Sequence, residues 1–399
     1  MKSKLRGTYE NRQVPLSAYF DLHLYCVFIQ FKPLFIMGNA KDFLGAVKGR
    51  GACSNKHSRF EAWSRESEIE DVVDSGDEKE DAPKIDTVVF MKRAASIISS
   101  NKSPDIPFDT SINPYQGCEH GCIYCYARPT HAYLGHSPGL DFETKLYAKE
   151  NAAELLEREL SNKRYTPRVI VLGGNTDPYQ PIERDLKITR SILEVLERYN
   201  HPVSITTKSG LVVRDVDVLQ RMAQKQLAQV YVSVTSLNND VSRTLEPRAS
   251  APSRRLSAIR RLADAGIPVG VLVAPVIPAI TDVEMEAILE SVTAAGATSA
   301  AYILLRLPLE VAGLFSEWLE AHYPLRAKHV QSLLSQMRDG KIYDSTFGSR
   351  MSGTGVFAEL LSQRFKLACK KNGLNARQYS LRTDLFAIPK SDTAQMDLF

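Results

Sequence analysis

Short runs of apolar, mostly β-branched residues alternate with longer amphipathic stretches from about residue 110 to residue 305. Such runs are typical of buried strands, and amphipathic stretches of this length are typical of helices. The predicted strands cover residues 110–113, 169–172, 203–206, 230–234, 269–273 and 301–305. The predicted helices cover residues 149–162, 186–199, 213–226, 253–265 and 283–295. Strands that are apolar throughout and separated by helices indicate an α/β fold, in which helices cover a parallel sheet.

The rest of the chain divides by composition. Residues 1–46 form an atypical N-terminal extension, whose apolar stretch at 22–36 is interrupted by His23, Lys32 and Pro33 and is therefore too broken to cross a membrane. It lacks the cleavage site of a secretory signal, and Met37 is our hypothesis for the translation start. The predicted domains are a segment at 47–104 with an acidic flexible linker at 65–86, a unit at 105–322 that holds the strands, and a basic helical C-terminal segment at 323–399.

Charge is distributed unevenly, although the whole chain carries a net charge of only +4. Residues 65–86 hold ten acidic and three basic residues, whereas residues 326–382 hold eleven basic and three acidic residues. A basic segment suits a polyanionic partner such as nucleic acid, which makes nucleic acid a candidate substrate. The residues expected to contact phosphates are Arg364, Lys366, Lys370 and Lys371. The alternative is a solvated amphipathic helix at about 356–371, whose lysines only aid solubility.

Three of the six cysteines stand close together in the sequence. Cys118, Cys122 and Cys125 form a C-x3-C-x2-C array, and the other three are scattered at Cys26, Cys53 and Cys369. This is not a disulfide framework, so we expect a reducing cytoplasm. Three thiols on one short loop indicate a metal or cluster site, and a four-iron cluster held by three cysteines leaves one iron open. The alternative is a structural zinc site with His120, His131 or His136 as the fourth ligand.

The array, with Tyr124 before its last cysteine, resembles the signature of the radical S-adenosylmethionine (radical SAM) superfamily. The resemblance implies a partial (β/α)6 barrel that carries a 4Fe-4S cluster on Cys118, Cys122 and Cys125, whose open iron binds S-adenosylmethionine. It implies reductive cleavage of that molecule to a 5'-deoxyadenosyl radical, which takes hydrogen from the substrate. It also implies a reduced flavodoxin- or ferredoxin-type electron donor.

The polar residues that follow the predicted strands are expected to bind the cofactor, because chemistry in such barrels occurs at the carboxyl ends of the strands. By the resemblance, Gly173 and Gly174 contact the S-adenosylmethionine amino group, and a tight turn is the alternative for both. Lys208 and Ser233 are the candidates for its carboxylate and ribose. The other residues assigned to cofactor binding are Tyr124, Asn175 and Thr176.

Several longer motifs resemble one subgroup, the radical SAM proteins related to spore photoproduct lyase and called DNA repair photolyases, most closely its PA0069-type proteins. They cover residues 111–129, 139–143, 175–183, 245–248 and 347–353. By this resemblance Tyr126 returns hydrogen to the product radical; packing against the cluster is the alternative. Asp177 and Glu183 are expected to bind substrate or to be structural, and Arg248 and Arg350 to neutralise phosphate or to pair with those acids.

One departure from that subgroup concerns the hydrogen donor. Spore photoproduct lyase carries a hydrogen-donating cysteine near the end of the second strand, where this chain has Gly174-Asn175-Thr176, and no cysteine occurs between Cys125 and Cys369. Reversal of a thymine dimer by that route is therefore not expected unless Cys369 folds back over the barrel mouth. Two rival functions stay open: a radical SAM enzyme that modifies proteins or peptides, and a non-catalytic zinc-binding interaction module.

Overall fold

The computed structural model describes residues 46–60 and 85–389, and its main feature is a seven-stranded sheet. Six of its strands are mutually parallel: β3 Thr110–Ile112, β6 Ile170–Leu172, β7 Val203–Thr207, β8 Ala228–Ser233, β9 Val269–Val276 and β10 Ser299–Leu304. With the edge strand β2 Ile98–Ser100, the spatial order is β10-β9-β8-β7-β6-β3-β2. The parallel α/β sheet predicted from the hydrophobic pattern is confirmed. An added strand, β2 Ile98–Ser100, pairs antiparallel with β3 at the edge.

The sequence pattern indicated strands that are apolar throughout. In the structure they are not, because the two faces of the sheet differ. One row across the sheet pairs Ile112, Leu172, Ile205, Val230 and Val269, all of which are buried. Successive side chains point to opposite faces, and the next row holds Ser111, Val171, Ser204 and Gln229. The sheet therefore has one apolar face for the helices and one mixed polar face, which is the face a partial barrel turns inward.

Helices follow the strands and cover the apolar face. Those predicted are α2 Ala152–Leu160, α4 Ile188–Arg198, α5 Val216–Gln224, α7 Pro252–Asp264 and α8 Met285–Ala294, together with α11 Gly355–Lys371 in the C-terminal segment. Those not predicted are α1 Leu140–Thr144, α3 Glu183–Leu186, α6 Asn239–Leu245, α9 Val311–His322 and α10 Ala327–Gln336. Each long helix buries one apolar stripe; α4, for example, buries Ile192, Leu193 and Leu196 completely. No helix within 46–60 and 85–389 is long and apolar enough to cross a membrane.

A second, three-stranded sheet was not predicted. It contains β1 Val88–Lys92, β5 Lys145–Lys149 and β4 Tyr115–Gln116, in the order β1-β5-β4. The strand β1 runs parallel to β5, and β4 runs antiparallel to it. Because β4 leads directly into the cysteine loop, this small sheet fixes the point at which the loop begins.

The open side of the parallel sheet, between β10 and β2, is bridged by two loops. Arg350, on the loop after α10, donates through Nε to Asp105 Oδ2 at 2.6 Å, and both side chains are largely buried. The backbone N–H of Leu304 donates to Met351 O at 2.8 Å, which attaches the same loop to the last strand. Arg350 was expected to neutralise phosphate or to pair with Asp177 or Glu183. It does pair with an acid, but the acid is Asp105.

The C-terminal helix α11 runs down the outside of the structure, away from the carboxyl edge of the sheet. Its Phe365 packs against Tyr302 of β10 with ring centroids 4.8 Å apart. Beyond the helix, Asn375 donates from its backbone to Thr298 O and accepts from the Ala300 N–H, which places the end of α11 beside the start of β10. Cys369 lies at this end and is buried there. It therefore does not fold back over the carboxyl edge of the parallel sheet, which we call the mouth. The predicted N-terminal extension and most of the predicted acidic linker lie outside the described residues.

Candidate active site

The three clustered cysteines lie on the loop that follows β4, at the carboxyl edge of the parallel sheet. Cys118 and Cys122 are buried, and Cys125 is half-buried. The loop is held by its backbone: Cys118 N–H donates to Phe142 O at 2.9 Å, and Cys125 N–H donates to Cys122 O at 3.2 Å. Ile123 N–H donates to Leu245 O at 3.1 Å, which attaches the loop to the end of α6.

A buried arginine organises the inside of this loop. Arg128 is fully buried and donates to Cys122 O at 2.9 Å and to Gly121 O at 3.2 Å. Its charge is matched by Glu143, which is also fully buried. Two carbonyls of the loop therefore point inward to a fixed cation rather than toward the cysteines. Both residues lie in the motifs at 111–129 and 139–143, but the sequence did not show that they pair with each other.

The segment around residue 51 packs directly against the same loop. A Cβ on Gly51 would lie 1.8 Å from Gly121 O, so only glycine permits this approach. The Gly51 and Ala52 N–H groups donate to the Glu143 carboxylate at 3.0 and 2.9 Å. The loop is thus enclosed from below by a second part of the chain, which excludes water from its base.

The donor set fits a multi-iron cluster better than a single metal ion. Among residues 46–60 and 85–389, no group of three or more His, Cys, Asp or Glu side chains is arranged to hold one metal ion. The three thiols nevertheless lie close enough to influence one another electrostatically. Three cysteines on one loop suit a four-iron cluster, in which each cysteine would bind a different iron and one iron would stay open.

Burial raises the pKa of all three thiols, most strongly for Cys118 and Cys122. The free thiols would therefore stay protonated at neutral pH, and a bound metal charge is what would convert them to thiolates. Their assignment as cluster ligands stays a prediction that this geometry supports.

Two of the three histidines considered as zinc ligands have other partners. His120 is buried with Nδ1 3.3 Å from Asp177 Oδ2. The Nε2 of His136 is 2.7 Å from the Tyr147 hydroxyl. His131 packs among aromatic rings, with centroids 5.5 Å from Phe142 and 5.3 Å from His136, and its ring nitrogens make no hydrogen bond within the described residues. His120 and His136 are thus engaged by other residues, which does not favour either as a fourth zinc ligand.

Tyr124, between the last two cysteines, belongs to a buried polar network. Its hydroxyl donates to Glu246, which also accepts from Thr235 Oγ1 at 2.7 Å and forms a fully buried ion pair with Arg255. Burial alone would raise the pKa of Glu246, but Arg255 and Lys208 outweigh it, so the pKa is lowered and the carboxylate stays charged. The tyrosine ring is therefore held rigidly against the cysteine loop.

Lys208, directly after β7, is a half-buried cation beside this network. Its Nζ lies 5.8 Å from the centre of the Tyr124 ring, and it has no carboxylate within ion-pair distance in the part of the chain that is described. Burial acts to lower the pKa of Lys208, yet the nearby Cys122 and Glu246 outweigh it and the pKa is raised. Lys208 therefore remains charged and available to an anionic ligand.

The glycine-rich end of β6 has several roles in the fold. Gly173 has φ +89°, and a Cβ there would lie 2.2 Å from Thr206 O, so a tight approach to β7 accounts for this glycine. The Thr176 hydroxyl donates to Tyr115 O at 2.8 Å, and Asn175 N–H donates to Asn113 Oδ1 at 2.9 Å. Cofactor binding by these residues stays a prediction, and the Asn175 side chain is the group here that has no hydrogen bond within the described ranges.

Ser233, at the end of β8, is buried on the same edge. Its carbonyl accepts from Arg255 at 3.0 Å, and its hydroxyl makes no hydrogen bond to the residues that the structure describes. The hydroxyl is therefore the free group at this strand end. Its predicted contact with the ribose is compatible with that position.

Asp177 and Glu183 are structural rather than free for substrate. Asp177 accepts from Lys208 N–H and from Thr207 Oγ1, both at 2.7 Å. Burial alone would raise the pKa of Asp177, but His120 and the hydrogen bonds bring it down to about 2. Glu183 is fully buried and accepts from Tyr115 and from Arg214. The substrate-binding alternative for these two acids is therefore not favoured.

Arg248 also pairs with an acid other than the two that were expected. It donates to Glu119 at 2.8 Å rather than to Asp177 or Glu183. Glu119 accepts in addition from Thr87 Oγ1 at 2.7 Å. Glu119 therefore ties the cysteine loop both to Arg248, which follows α6, and to Thr87, which precedes β1.

Tyr126 is 46% exposed. Its hydroxyl donates to Gly174 O, and burial raises its pKa to about 12. Arg306, which follows β10, lies over the ring with its guanidinium carbon 5.6 Å from the ring centre. Sequence reasoning missed Arg306, although a cation just after the sixth predicted strand was a usable signal.

The comparisons with known proteins agree with this architecture. A family model described as "Radical SAM superfamily" matches residues 112–292. An uncharacterized protein of Mycobacterium tuberculosis is 36% identical over 248 residues, which cover 61% of this chain and 73% of that protein. An uncharacterized protein of Methanocaldococcus jannaschii is 30% identical over 192 residues, which cover 48% of this chain and 69% of that protein. A solved structure of a mutant spore photoproduct lyase aligns with a TM-score of 0.50 at 17% identity, over 72% of this chain and 80% of that one, and this likeness concerns the fold.

Proposed function

This chain belongs to the radical SAM superfamily, and we propose that it uses a 4Fe-4S cluster to cleave S-adenosylmethionine and abstract hydrogen from a nucleic-acid substrate. The observation that carries the proposal is the cysteine loop itself. Its three thiols, two of them buried and one half-buried, lie at the carboxyl edge of a six-stranded parallel sheet, and three cysteines on one loop suit a four-iron cluster with one open iron.

The bound cluster and S-adenosylmethionine would supply the hydrogen-abstracting radical, and the chain supplies binding and exclusion of water. In the proposal Lys208 binds the carboxylate of S-adenosylmethionine, because it is a half-buried cation with no carboxylate within ion-pair distance among the described residues. The free Ser233 hydroxyl binds a ribose oxygen. Tyr124 is held by Glu246 and shields the base of the site.

Return of hydrogen to the product radical needs a group at the mouth. Cys369 lies at the opposite edge of the sheet and is unsuitable. Tyr126 is a neutral phenol at physiological pH, is half-exposed, and lies next to Cys125 in the sequence. We therefore assign the role to Tyr126, whose hydroxyl is held in place by Gly174 O. The O–H bond breaks as the hydrogen atom passes to the product radical, and the tyrosyl radical that is left is restored by one electron from the external reductant and one proton from solvent.

Nucleic acid is favoured as the substrate class by the motifs shared with the photolyase-like subgroup and by exposed aromatic rings beside arginines at the mouth. Phe347 is 54% exposed, and the Arg350 guanidinium lies 4.6 Å from its ring centre. Tyr126 and Arg306 repeat this pairing. Proteins that bind single strands or splayed bases use aromatic faces together with cationic groups in this way.

The proposed reaction also requires an external reductant. A reduced flavodoxin- or ferredoxin-type protein would supply the electron, and a reducing cytoplasm would protect the cluster.

The test is anaerobic reconstitution with iron and sulfide, followed by reduction with dithionite in the presence of S-adenosylmethionine. The wild-type protein is expected to bind about four irons and to form 5'-deoxyadenosine. Cys122→Ala is expected to lose both, and Cys53→Ala, which changes a buried cysteine outside the loop, is expected to keep both.

A colourless protein that binds zinc in the wild type and yields no 5'-deoxyadenosine would contradict the proposal. A wild type and a Cys122→Ala variant with equal product would contradict the assignment of the loop.

A further inference from the structure

Resting on the proposed function, we propose that Arg306 binds a backbone phosphate of the nucleic-acid substrate at the mouth of the sheet. This would be a substrate contact separate from the cofactor-binding residues, just after the last strand, β10, rather than at the ends of β7 and β8.

Arg306 has an incomplete set of partners. Its Nε is buried and makes no hydrogen bond within the described residues. One terminal nitrogen lies 3.3 Å from Met351 Sδ, which is a weak acceptor. A guanidinium carries five N–H donors, so most of the donors of Arg306 are left for a ligand.

No acidic side chain neutralises Arg306 in residues 46–60 and 85–389. The cation that faces it is Arg338, whose pKa is lowered by burial and by the nearby Arg306. Arg338 donates through both terminal nitrogens to the carbonyls of Leu305, Ser349 and Arg350, and its buried Nε is the donor nitrogen left without a hydrogen bond within the described residues. Because a partly buried arginine cannot lose its charge at neutral pH, an anionic ligand is what would complete this site.

The geometry separates Arg306 from the other unpaired cation of the mouth. Lys208 lies over the ring of Tyr124, and Arg306 lies over the ring of Tyr126. These tyrosines flank Cys125 on its two sides, so the two cations approach the cysteine loop from β7 and from β10. Two unpaired cations, each at its own tyrosine of this loop, match two ligands, the carboxylate of S-adenosylmethionine and an oxyanion of the substrate.

The neighbours of Arg306 favour a phosphate of nucleic acid over a peptide carboxylate. The planar fork of an arginine matches two phosphate oxygens. The exposed rings of Tyr126 and Phe347 lie at the same mouth, since Met351 contacts Arg306 and follows Arg350 on one loop. A phosphate on Arg306 would therefore bring a base within reach of an aromatic face.

The test measures binding of a fluorescent single-stranded oligothymidylate of about eight nucleotides to the reconstituted protein. Arg306→Gln is expected to weaken binding about tenfold, the effect of one hydrogen-bonded charge, and to reduce the salt dependence by about one counterion. Arg306→Lys is expected to fall between the wild type and Arg306→Gln. Arg364→Gln, which changes an arginine paired with Glu286, is the matched control and is expected to change binding less than about twofold.

Two further probes separate the possible outcomes. A neutral methylphosphonate analogue is expected to bind equally weakly to wild type and Arg306→Gln; a difference as large as with the phosphodiester would contradict a phosphate contact. Polyglutamate that competes more strongly than oligothymidylate would overturn the choice of nucleic acid.

Cleavage of S-adenosylmethionine without substrate, measured on the same preparations, distinguishes this inference from the proposed function. Wild-type and Arg306→Gln proteins are expected to form equal 5'-deoxyadenosine. Loss of product in the variant alone would assign Arg306 to the cofactor and overturn the inference, whereas absence of product in the wild type would overturn the proposed function. Unchanged oligothymidylate affinity in Arg306→Gln also overturns the inference.

Discussion

The barrel mouth and the outer C-terminal helix α11 both present basic side chains, but the two regions differ in how those charges are matched. At the mouth, Lys208 and Arg306 have no carboxylate within ion-pair distance in the described chain, and each lies over a tyrosine of the cysteine loop. On α11, Arg364 is bound by both oxygens of Glu286 at 2.8 Å. A count of basic residues therefore does not locate an anion site, whereas cations without a carboxylate partner do.

The position of α11 supports the same conclusion. Lys370 and Lys371 are exposed in its last turn, beside the start of β10 and therefore at the edge opposite the cysteines. Cations in the last turn of a helix are stabilised by the partial negative charge of the helix end. The alternative of a solvated helix therefore accounts for these lysines better than phosphate contacts at the active site.

The largest expected effect comes from breaking a fully matched buried pair. Glu246→Gln leaves Arg255 without its paired acid and is expected to lower the free energy of unfolding by about 3–5 kcal/mol. Urea denaturation measures this loss. Glu286→Gln removes the half-exposed partner of Arg364 and is expected to cost less than about 1 kcal/mol. Equal losses of stability in the two variants would contradict the claim that the buried ion pair matters more than the exposed one.

A second prediction concerns a buried group that can lose its charge, unlike Arg306. Burial lowers the pKa of His131 to about 4, below its ordinary 6.5. Because the unfolded chain binds the proton more tightly, this histidine should destabilise the fold as pH falls from about 6.5 to 4, by up to about 3 kcal/mol. His131→Phe should flatten the stability profile in that range, measured as urea midpoints against pH. The exposed His329→Gln is the control; a profile unchanged by His131→Phe would refute the assignment.

A third prediction addresses the cofactor side of the mouth. Lys208→Met is expected to weaken binding of S-adenosylmethionine about tenfold, because one hydrogen-bonded charge is lost. Stability should change little, since Glu246 keeps Arg255 as its partner. Equilibrium dialysis on the reconstituted protein measures the affinity. Lys225→Met changes an exposed lysine that contacts Asn200 and should bind as the wild type does; a parallel loss in both variants would count against a specific contact.

The smallest effect is expected on α11. Replacement of Lys366, Lys370 and Lys371 by glutamine together should change the affinity for oligothymidylate less than about twofold, because these side chains lie away from the mouth. The measurement is the same fluorescence titration at several salt concentrations. A marked fall in the salt dependence would restore the C-terminal segment as a nucleic-acid surface and break the comparison.

Much of the fold was readable from sequence because its signals are local. The strand at 203–207 and the helix at 188–198 each show their own hydrophobic pattern, and the six parallel strands followed from it. The small sheet was missed because β4 has only two residues and the alternation in its partner β5, which buries Leu146 and Ala148, spans only five residues. The mixed inner face was missed because short strands such as 170–172 look apolar throughout.

The site was predicted only as far as it is local. Three cysteines within eight residues are visible in a sequence, whereas the hydrogen bond from Tyr124 to Glu246 joins residues 122 positions apart. The same holds for Arg350 and Asp105, which are 245 positions apart. Pairing of this kind decides which charges are free, and it becomes visible only once the chain is folded.

The most direct test of the central claim is the electron paramagnetic resonance spectrum of the reconstituted, dithionite-reduced protein, recorded with and without S-adenosylmethionine. The account predicts the signal of a reduced four-iron cluster that shifts when S-adenosylmethionine is added, because one iron is left open by Cys118, Cys122 and Cys125. Lys208→Met should show the same shift only at higher concentrations. A protein without a cluster signal, or a signal that S-adenosylmethionine leaves unchanged at saturation, would contradict the account.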